Sequence, residues 1–344
     1  MIRFDSDYIE GCIPEILEAL QNTNEEQTIG YGVDPHCQNA RALIRKAVGR
    51  ADADVHFLVG GTQANITVIT SVLKHYQGAV CAVTGHINEH ETGALEACGH
   101  KCLTIQSDNG TLTAQQVDQL IYDHYHGSAV EHTVQPGLVY ISFPTELGTL
   151  YSRKQLEDLY AVCRKNNIPL FIDGARLGYA LASEKNDMTM QDIANNCDMF
   201  YIGGTKVGAL FGEAVVITNP AYNKDFRYNI KQRGGMLAKG RLLGLQFDAL
   251  FTDGLYQEIS AHAIAMAEKL RGAFTAKGYT YLAPNRTNQI FVIVPDAHLA
   301  KISEQFEYSY DQRIDAAHSC VRFCTGWATK EENVDALIRC VEKL

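Results

Sequence analysis

The chain has 344 residues, with 30 Lys and Arg against 40 Asp and Glu, which gives a formal net charge of −10. An acidic chain without a Lys/Arg-rich run is a poor partner for nucleic acid or an anionic membrane. Its composition is typical of a globular protein, and the length predicts about two domains. The opening stretch MIRFDSDYIEG is acidic, unlike a secretory signal, and no apolar run reaches the ~18 residues of a membrane helix, so we expect a cytoplasmic protein.

The ten cysteines are scattered along the chain and include no CxxC pair. Without a secretory signal, such cysteines are expected to be reduced and buried rather than joined in a disulfide framework. The CxxxC pairs, Cys98–Cys102 and Cys320–Cys324, are weak as metal sites because nothing nearby completes a set of ligands.

A glycine-rich stretch follows the strand predicted at residues 55–59. It reads Gly60-Gly61-Thr62-Gln63-Ala64-Asn65 and leads into a helical run. The backbone N–H groups at the start of such a helix can bind a phosphate. The stretch lacks the GK[ST] of a Walker loop and the GxGxxG pattern, so a simple glycine turn in which Thr62 caps the helix is also consistent with it.

The segment His86-Ile87-Asn88-Glu89-His90-Glu91 follows another predicted strand, at residues 79–84. It fits the H-x-x-E-H pattern of one class of zinc peptidase, which requires both histidines on one helix face and a third ligand further on. Gly85 and the preceding strand predict that His86 lies at a strand end instead, so we expect no metal here. A flat imidazole beside a phosphate site can stack on an aromatic cofactor.

Further strands are predicted at residues 103–107 and 138–146, and they alternate with helices that begin at Ala114 and Lys154. This alternation predicts a largely parallel sheet covered by helices on both faces. A helix over residues 259–276 begins a smaller α+β part with strands at 289–294 and 319–324. We therefore predict an N-terminal segment, 1–25, that packs with the small domain, a large cofactor-binding domain, 26–252, and a small C-terminal domain, 253–344.

Two short apolar strands end on charged residues. Residues 170–172 are followed by Asp173, Gly174, Ala175 and Arg176, and residues 199–202 by Gly203, Gly204, Thr205 and Lys206. Ligands of an open α/β sheet bind at the carboxyl ends of its strands, so these side chains are expected to face one crevice. A pyridoxal phosphate enzyme needs a lysine that holds the aldehyde as a Schiff base and a carboxylate that keeps the pyridine nitrogen protonated. Each signal is weak alone, since Asp-Gly is a common turn, but together they predict such a site.

A basic loop, an arginine and a serine suggest no function when each is considered alone. Residues 231–240, KQRGGMLAKG, form a basic, glycine-containing loop. Arg322, in SCVRFCTGW, is predicted to point from a strand of the small domain, where a structural salt bridge and a carboxylate clamp are both open. Ser6 lies between two aspartates and suggests no function by itself.

These motifs resemble those of the threonine aldolases of the β-eliminating lyase group, which are pyridoxal phosphate enzymes of fold type I. The likeness extends over nearly the whole chain, through FDSD, YGVDP, GGTQAN, GHINEHETGA, FIDGARLGYAL, GGTK and VRFCTGWAT. Its most specific part is DGAR followed by a strand-end lysine. The resemblance implies an α/β fold with a largely parallel central sheet covered by helices and a smaller α+β C-terminal domain. It also implies an amino-acid substrate and a homo-oligomer, a dimer or a tetramer, with active sites near the subunit interface.

The resemblance further implies a role for individual residues. Lys206 would hold the cofactor as a Schiff base, Asp173 would pair with its pyridinium nitrogen, and His86 would stack on its ring. The implied phosphate contacts are Gly61, Thr62 and Thr205, and Arg176 is implied to lie near the ring hydroxyl. The implied contacts with the substrate carboxylate are Ser6, Arg176 and Arg322. Lys231 and Arg233 would approach the phosphate of a neighbouring subunit.

The implied reaction is the cleavage of L-threonine or L-allo-threonine to glycine and acetaldehyde by breakage of the Cα–Cβ bond. His86 is the first candidate for the base that removes the β-hydroxyl proton, followed by Glu91 and by a bound water. Many family members have a histidine where this chain has Glu146, and a carboxylate replaces a neutral imidazole only if its pKa is shifted. Three alternatives remain: another amino-acid lyase or aminotransferase on this fold, a pyridoxal-phosphate-binding module without turnover, and a zinc hydrolase.

Overall fold

The computed structural model describes residues 1–344 and contains three sheets. The strands are β1 (Ile2–Arg3), β2 (Asp54–Leu58), β3 (Gln77–Ala82), β4 (Cys102–Ile105), β5 (Gln135–Ser142), β6 (Leu170–Asp173), β7 (Met199–Gly203), β8 (Glu213–Ile217), β9 (Thr280–Tyr281), β10 (Gln289–Pro295), β11 (Phe306–Glu307), β12 (Ser309–Arg313) and β13 (His318–Cys324).

The helices are α1 (Pro14–Asn22), α2 (Pro35–Val48), α3 (Gly61–Val72), α4 (His86–Glu89), α5 (Ala94–Ala97), α6 (Ala114–His126), α7 (Arg153–Lys165), α8 (Leu177–Ala182), α9 (Met190–Asn195), α10 (Phe226–Gln232), α11 (Arg241–Phe251), α12 (Leu255–Ala276), α13 (Asp296–Ile302) and α14 (Glu331–Glu342). The longer helices that the sequence predicts begin within a few residues of the observed positions. The short helices α4, α5, α8, α9, α10 and α13 were not predicted, because one or two turns carry too little apolar periodicity. None of the helices combines the length and the apolar character needed to cross a membrane.

The central sheet has seven strands in the order β2-β8-β7-β6-β5-β3-β4. Every neighbouring pair is parallel except the two that involve β8. The prediction of a largely parallel sheet is therefore confirmed. Strand β8 follows the turn that contains Lys206 and runs antiparallel to β7.

Both faces of this sheet are buried, because successive residues of a strand point to opposite faces and both sets pack in apolar clusters. In β5, Val139 and Ile141 belong to a large apolar cluster on one face, with α2, α7 and α11. Leu138 and Tyr140 belong to a second cluster on the other face, which includes α3 and α10. This division decides which side chains at the strand ends point toward α3.

The C-terminal part forms a four-stranded antiparallel sheet in the order β12-β13-β10-β9, covered by α12 and α14. The N-terminal segment divides between the two parts. Strand β1 pairs with β11, and Phe4 lies in the small-domain core. Ile13 and Ile16 of α1 instead belong to the core of the large domain. The proposed boundaries at residues 25 and 252 stay a prediction.

Candidate active site

A crevice of about 620 Å³ lies between the carboxyl ends of the central strands and the sheet of the small domain. The large domain contributes its charged strand-end residues, and the small domain contributes β10, β12 and β13. The residues that line the crevice include Tyr8, Thr84, His86, Glu89, His90, Glu146, Arg176, Lys206, Gln289, Asp311 and Arg322. Four of the predicted site residues, His86, Arg176, Lys206 and Arg322, thus share one cavity.

Asp173, the last residue of β6, is buried and its carboxylate accepts four hydrogen bonds. Oδ1 accepts from the Tyr201 hydroxyl at 2.5 Å and from the Ala175 backbone N–H at 3.0 Å. Oδ2 accepts from the Tyr140 hydroxyl at 2.7 Å and from Asn65 Nδ2 at 3.1 Å. Burial alone would raise the pKa of Asp173, but the charge on His86 and these donors lower it below its usual value. The group is therefore held as an anion, as a partner for a protonated pyridine nitrogen must be.

The donors around Asp173 follow from strand alternation. Tyr140, Phe171 and Tyr201 all belong to the cluster on the α3 side of the sheet. Asp173 is two residues after Phe171, so it faces the same side. Since β5 and β7 are the two neighbours of β6, one tyrosine reaches the carboxylate from each side.

Lys206 lies in the turn after β7, which packs closely against the turn after β6. A Cβ atom at Gly203 would lie 2.2 Å from the carbonyl oxygen of Ala175, and one at Gly174 would lie 2.0 Å from that of Tyr201. Only glycine allows this approach. Burial and the nearby Arg176 guanidinium lower the pKa of Lys206, which favours the neutral amine that attacks an aldehyde.

Thr205 is occupied within this turn. Its hydroxyl donates to Glu213 Oε1 at 2.8 Å and accepts from the Gly212 N–H at 3.0 Å. Glu213 also accepts from the Gly204 N–H at 3.2 Å, and burial raises the pKa of Glu213 to about 8. The structure thus gives the Thr205 hydroxyl a role in fixing the lysine turn, and its predicted phosphate contact stays a prediction.

His86 is the first residue of α4, two residues beyond the expected strand end at residue 84, and a buried carboxylate supports its ring on the side away from the crevice. Nδ1 lies 2.8 Å from Glu91 Oε1, which also accepts from Asn65 Nδ2 at 2.7 Å. Burial acts to lower the pKa of His86, but the hydrogen bond to Glu91 and three nearby carboxylates raise it overall. The Glu91 side chain is fully buried behind the ring and does not line the crevice.

Arg176 forms a buried ion pair that the sequence did not indicate. Its Nε and Nη2 donate to the two carboxylate oxygens of Asp7 at 2.7 and 2.9 Å. Asn288 Nδ2 donates to the same carboxylate at 2.8 Å. The charge and hydrogen bonds of Arg176 lower the pKa of Asp7 to about 2 against the opposing effect of burial. This pair connects the N-terminal segment to the site, and the predicted contacts of Arg176 with ring and substrate stay predictions.

Several buried polar atoms at the site have no partner within the chain: Ser6 Oγ, Thr84 Oγ1, Arg322 Nε and Arg233 Nε. Arg322 is held in place by Gln289 Oε1 at 3.2 Å, the Asp5 carbonyl at 3.1 Å and Ser309 Oγ at 3.3 Å. It forms no salt bridge, and its guanidinium lines the crevice. Ser6 is not among the residues that line the crevice, and the predicted contacts of Arg322 and Ser6 with a substrate carboxylate stay predictions.

The glycine-rich stretch begins α3, whose N-cap Gly60 makes no side-chain cap. The first N–H groups of a helix have no partner within it, so Gly61 and Thr62 leave donors for an anion. Gln63 joins this point to the basic loop, because its side chain accepts from the Val59 N–H and donates to the Arg233 carbonyl at 2.9 Å. The residues thus fit the three parts of pyridoxal phosphate: lysine for the aldehyde, aspartate for the ring nitrogen and a helix start for the phosphate.

The zinc pattern at His86 does not assemble in space. His86 pairs with Glu91, Glu89 is exposed, and the His86 and His90 rings are tilted by 59°. No group of three His, Cys, Asp or Glu side chains suited to hold a metal ion occurs in the chain.

The chain is similar to known proteins over most of its length. The model of the beta-eliminating lyase family matches residues 4–297. A low specificity L-threonine aldolase from a Pseudomonas strain is 28% identical over 338 residues, which cover 97% of this chain and 95% of that protein. The solved structure of a threonine aldolase from Leishmania major is 40% identical, with a TM-score of 0.97 and coverage of 100% of this chain and 99% of that chain.

A more distant similarity concerns the fold alone. An aspartate aminotransferase from Thermus thermophilus is 14% identical, with a TM-score of 0.73 and coverage of 100% of this chain and 91% of that chain. The predictions of fold type I and of pyridoxal phosphate as the cofactor are thereby confirmed. Since the family match extends over most of the sequence and the strand ends carry the residues that this cofactor requires, the chain belongs to the beta-eliminating lyase family.

Proposed function

We propose that the protein cleaves L-threonine and L-allo-threonine to glycine and acetaldehyde. The observation that carries the proposal is one crevice that is lined by both Lys206 and the Arg322 guanidinium, in a chain of this family. Two relatives that match nearly the whole chain are a low specificity L-threonine aldolase and a threonine aldolase. A carbon–carbon lyase acting on a small amino acid is the reaction that these features support together.

Pyridoxal phosphate, when bound, supplies an electron-poor ring that takes up the electron pair of the broken bond. Two residues of the chain prepare it. The Lys206 amine binds the aldehyde, helped by the lowered pKa of that amine. Asp173 holds the proton on the ring nitrogen, because its four hydrogen bonds keep it ionised.

Orientation of the substrate decides which of its bonds breaks, so the residues that would hold its carboxylate select the reaction. Arg322 and Ser6 are the proposed ligands of the substrate carboxylate. Arg322 is fixed by three hydrogen bonds to its surroundings, so it binds the carboxylate without first losing rotational freedom.

We propose that His86 covers the ring and that Glu91 orients it. Glu91 lies behind the imidazole without access to the crevice, so its position supports an orienting role rather than the predicted role as base. The hydrogen bond between Nδ1 and Glu91 raises the pKa of His86 and so favours the protonated ring, which is the wrong form for a proton acceptor. The base for the β-hydroxyl proton must then be sought elsewhere in the crevice.

The test is the release of acetaldehyde and glycine from L-threonine and from L-allo-threonine by the protein loaded with pyridoxal phosphate. Equal amounts of the two products establish the aldolase and rank the diastereomers. A loaded protein that releases neither product refutes the aldolase proposal. Release of pyruvate or ammonia instead, or amino transfer to an oxo acid, would assign another lyase or an aminotransferase.

We also propose that the protein is a homo-oligomer, a dimer or a tetramer, and that it is cytoplasmic. Six large apolar side chains between residues 8 and 33 are exposed: Tyr8, Ile9, Leu17, Ile29, Tyr31 and Val33. A second copy would cover such a surface, which includes Tyr8 at the mouth of the crevice. Light scattering after size-exclusion chromatography gives the copy number, and a monomeric mass at micromolar concentration would refute the proposal.

A further inference from the structure

We propose that Glu146 is the catalytic base that accepts the β-hydroxyl proton of the substrate. This inference rests on the proposed aldolase function and adds to it the residue for its first proton transfer. Three carboxylates line the crevice: Glu89, Asp311 and Glu146. Glu89 and Asp311 are exposed at its rim, whereas Glu146 is half-buried beside the strand ends.

The carboxylate of Glu146 is oriented by its neighbours. Oε1 accepts from the Ser142 hydroxyl at 2.6 Å and from the His86 backbone N–H at 3.1 Å. No hydrogen bond within the chain involves Oε2. The second bond ties Glu146 to the residue that is proposed to cover the cofactor ring, and both residues line the crevice. A base needs such a fixed position within reach of the proton that it removes.

The surroundings of Glu146 also suit a proton acceptor. Burial raises the pKa of Glu146 above its usual value, the Ser142 hydrogen bond lowers it, and the charge of Asp173 raises it further. A raised pKa brings a carboxylate closer to the operating pH, where a base is most effective. The titratable or charged groups that face it are His86, Asp173, Arg176, Tyr140, Tyr151 and Cys81.

The step balances within the substrate and the chain. The β-hydroxyl O–H bond breaks and its proton moves to Glu146, while the oxygen forms a double bond to Cβ. The Cα–Cβ bond breaks, its electron pair remains with Cα, and acetaldehyde leaves. A proton then returns to Cα to give glycine, so no oxidant or second reactant is needed.

The test is Glu146→Gln, which keeps the size of the side chain and removes the proton acceptor. We expect kcat for L-threonine cleavage to fall by about 10²- to 10⁴-fold, the usual contribution of a general base. Cofactor affinity, measured by absorbance titration, should stay within about threefold of the wild type. Exchange of the glycine α-proton with D₂O, followed by NMR, should also persist within about threefold, because that reaction involves no β-hydroxyl.

The pH profile gives a second, independent measure. In the wild type, kcat/KM should fall on the acid side with a limb above the ordinary glutamate pKa of about 4.3, and Glu146→Gln should lack that limb. Glu89→Gln is the matched control, because it removes a carboxylate from the rim of the same crevice. We expect it to change kcat by less than about threefold.

Four results would overturn the assignment: an undiminished kcat in Glu146→Gln, an equal loss in Glu89→Gln, a parallel loss of α-proton exchange, and retention of the acid limb. A wild-type protein that releases no aldehyde would instead refute the proposed function, which separates the two failures.

Discussion

The hydroxyl of Tyr201 provides the sharpest test of how the chain keeps Asp173 ionised. It donates to Asp173 Oδ1 at 2.5 Å, and Tyr201 is only 1% exposed. Tyr201→Phe removes this donor and leaves the ring in place. Only the Ala175 N–H then donates to that oxygen, so the pKa of Asp173 should rise toward its usual value.

A hydrogen bond to a charged group contributes about 1.5–3 kcal/mol, and its loss should lower the free energy of unfolding by about that amount. If Asp173 is less strongly held in its ionised form, it also stabilises the proton on the nitrogen of the cofactor ring less. Since 1.4 kcal/mol corresponds to a factor of ten, we expect kcat to fall by about tenfold or more.

Urea unfolding of the cofactor-free protein and steady-state kinetics of the loaded protein measure the two effects separately. Tyr151→Phe is the matched control, because Tyr151 is also 1% exposed but its hydroxyl accepts from the neutral Leu112 N–H at 2.7 Å. That variant should lose only about 0.5–1.5 kcal/mol and keep its kcat.

The reasoning would be refuted if Tyr201→Phe unfolded at the urea concentration of the wild type and kept full kcat. It would also fail if Tyr151→Phe lost kcat to the same degree. The effect would then reflect general repacking of the core and not the charge of Asp173.

Three further predictions concern the charged groups of the crevice. Lys206→Ala should abolish turnover, measured by glycine release, because no other residue can bind the aldehyde. Arg322→Gln should raise KM for L-threonine by about 10- to 100-fold with a smaller change in kcat, the value of one hydrogen bond to a charged group. Asp7→Asn leaves Arg176 buried and unpaired and should lower the free energy of unfolding by about 3–5 kcal/mol at pH 7. Because the pKa of Asp7 is lowered to about 2 in the folded state, this difference should be complete above about pH 4 and shrink as the pH falls toward 2, in urea titrations at several pH values.

Each of these predictions has an opposite outcome. A Lys206→Ala protein with full turnover would end the proposed chemistry. An unchanged KM in Arg322→Gln would remove this residue from the carboxylate site. A stability loss in Asp7→Asn that does not vary with pH would mean that packing, and not the charge pair, stabilises the N-terminal segment.

The parts of the site that the sequence predicts are those that adjoin a buried strand. Asp173 directly follows the apolar run 170–172, and Lys206 follows the apolar run 199–202 after Gly203, Gly204 and Thr205. The structure has β6 and β7 at those runs. His86 was expected at a strand end, but β3 ends at Ala82 and the polar residues after it form the single turn α4. Four residues are too few for a periodic signal, so this local error could not be avoided.

Contacts between distant segments leave no such signal. The pair of Arg176 with Asp7 joins residues that are 169 positions apart, and no local pattern encodes it. Tyr140 and Tyr201 are a different case. Both lie in predicted strands, and strand alternation together with the order of neighbouring strands would have placed their hydroxyl groups beside Asp173.

Burial acts to raise the pKa of both Asp173 and Glu146, yet the net pKa shifts of the two carboxylates are opposite. Asp173 receives four hydrogen bonds and the influence of His86, and its pKa is lowered. Glu146 receives two, both on Oε1, and its pKa is raised. The charge of His86 and the four donors therefore keep Asp173 ionised in spite of its burial, whereas burial and the charge of Asp173 make Glu146 the carboxylate that can take up a proton. Two neighbouring carboxylates with opposite pKa shifts are the arrangement that separates a fixed charge from a base.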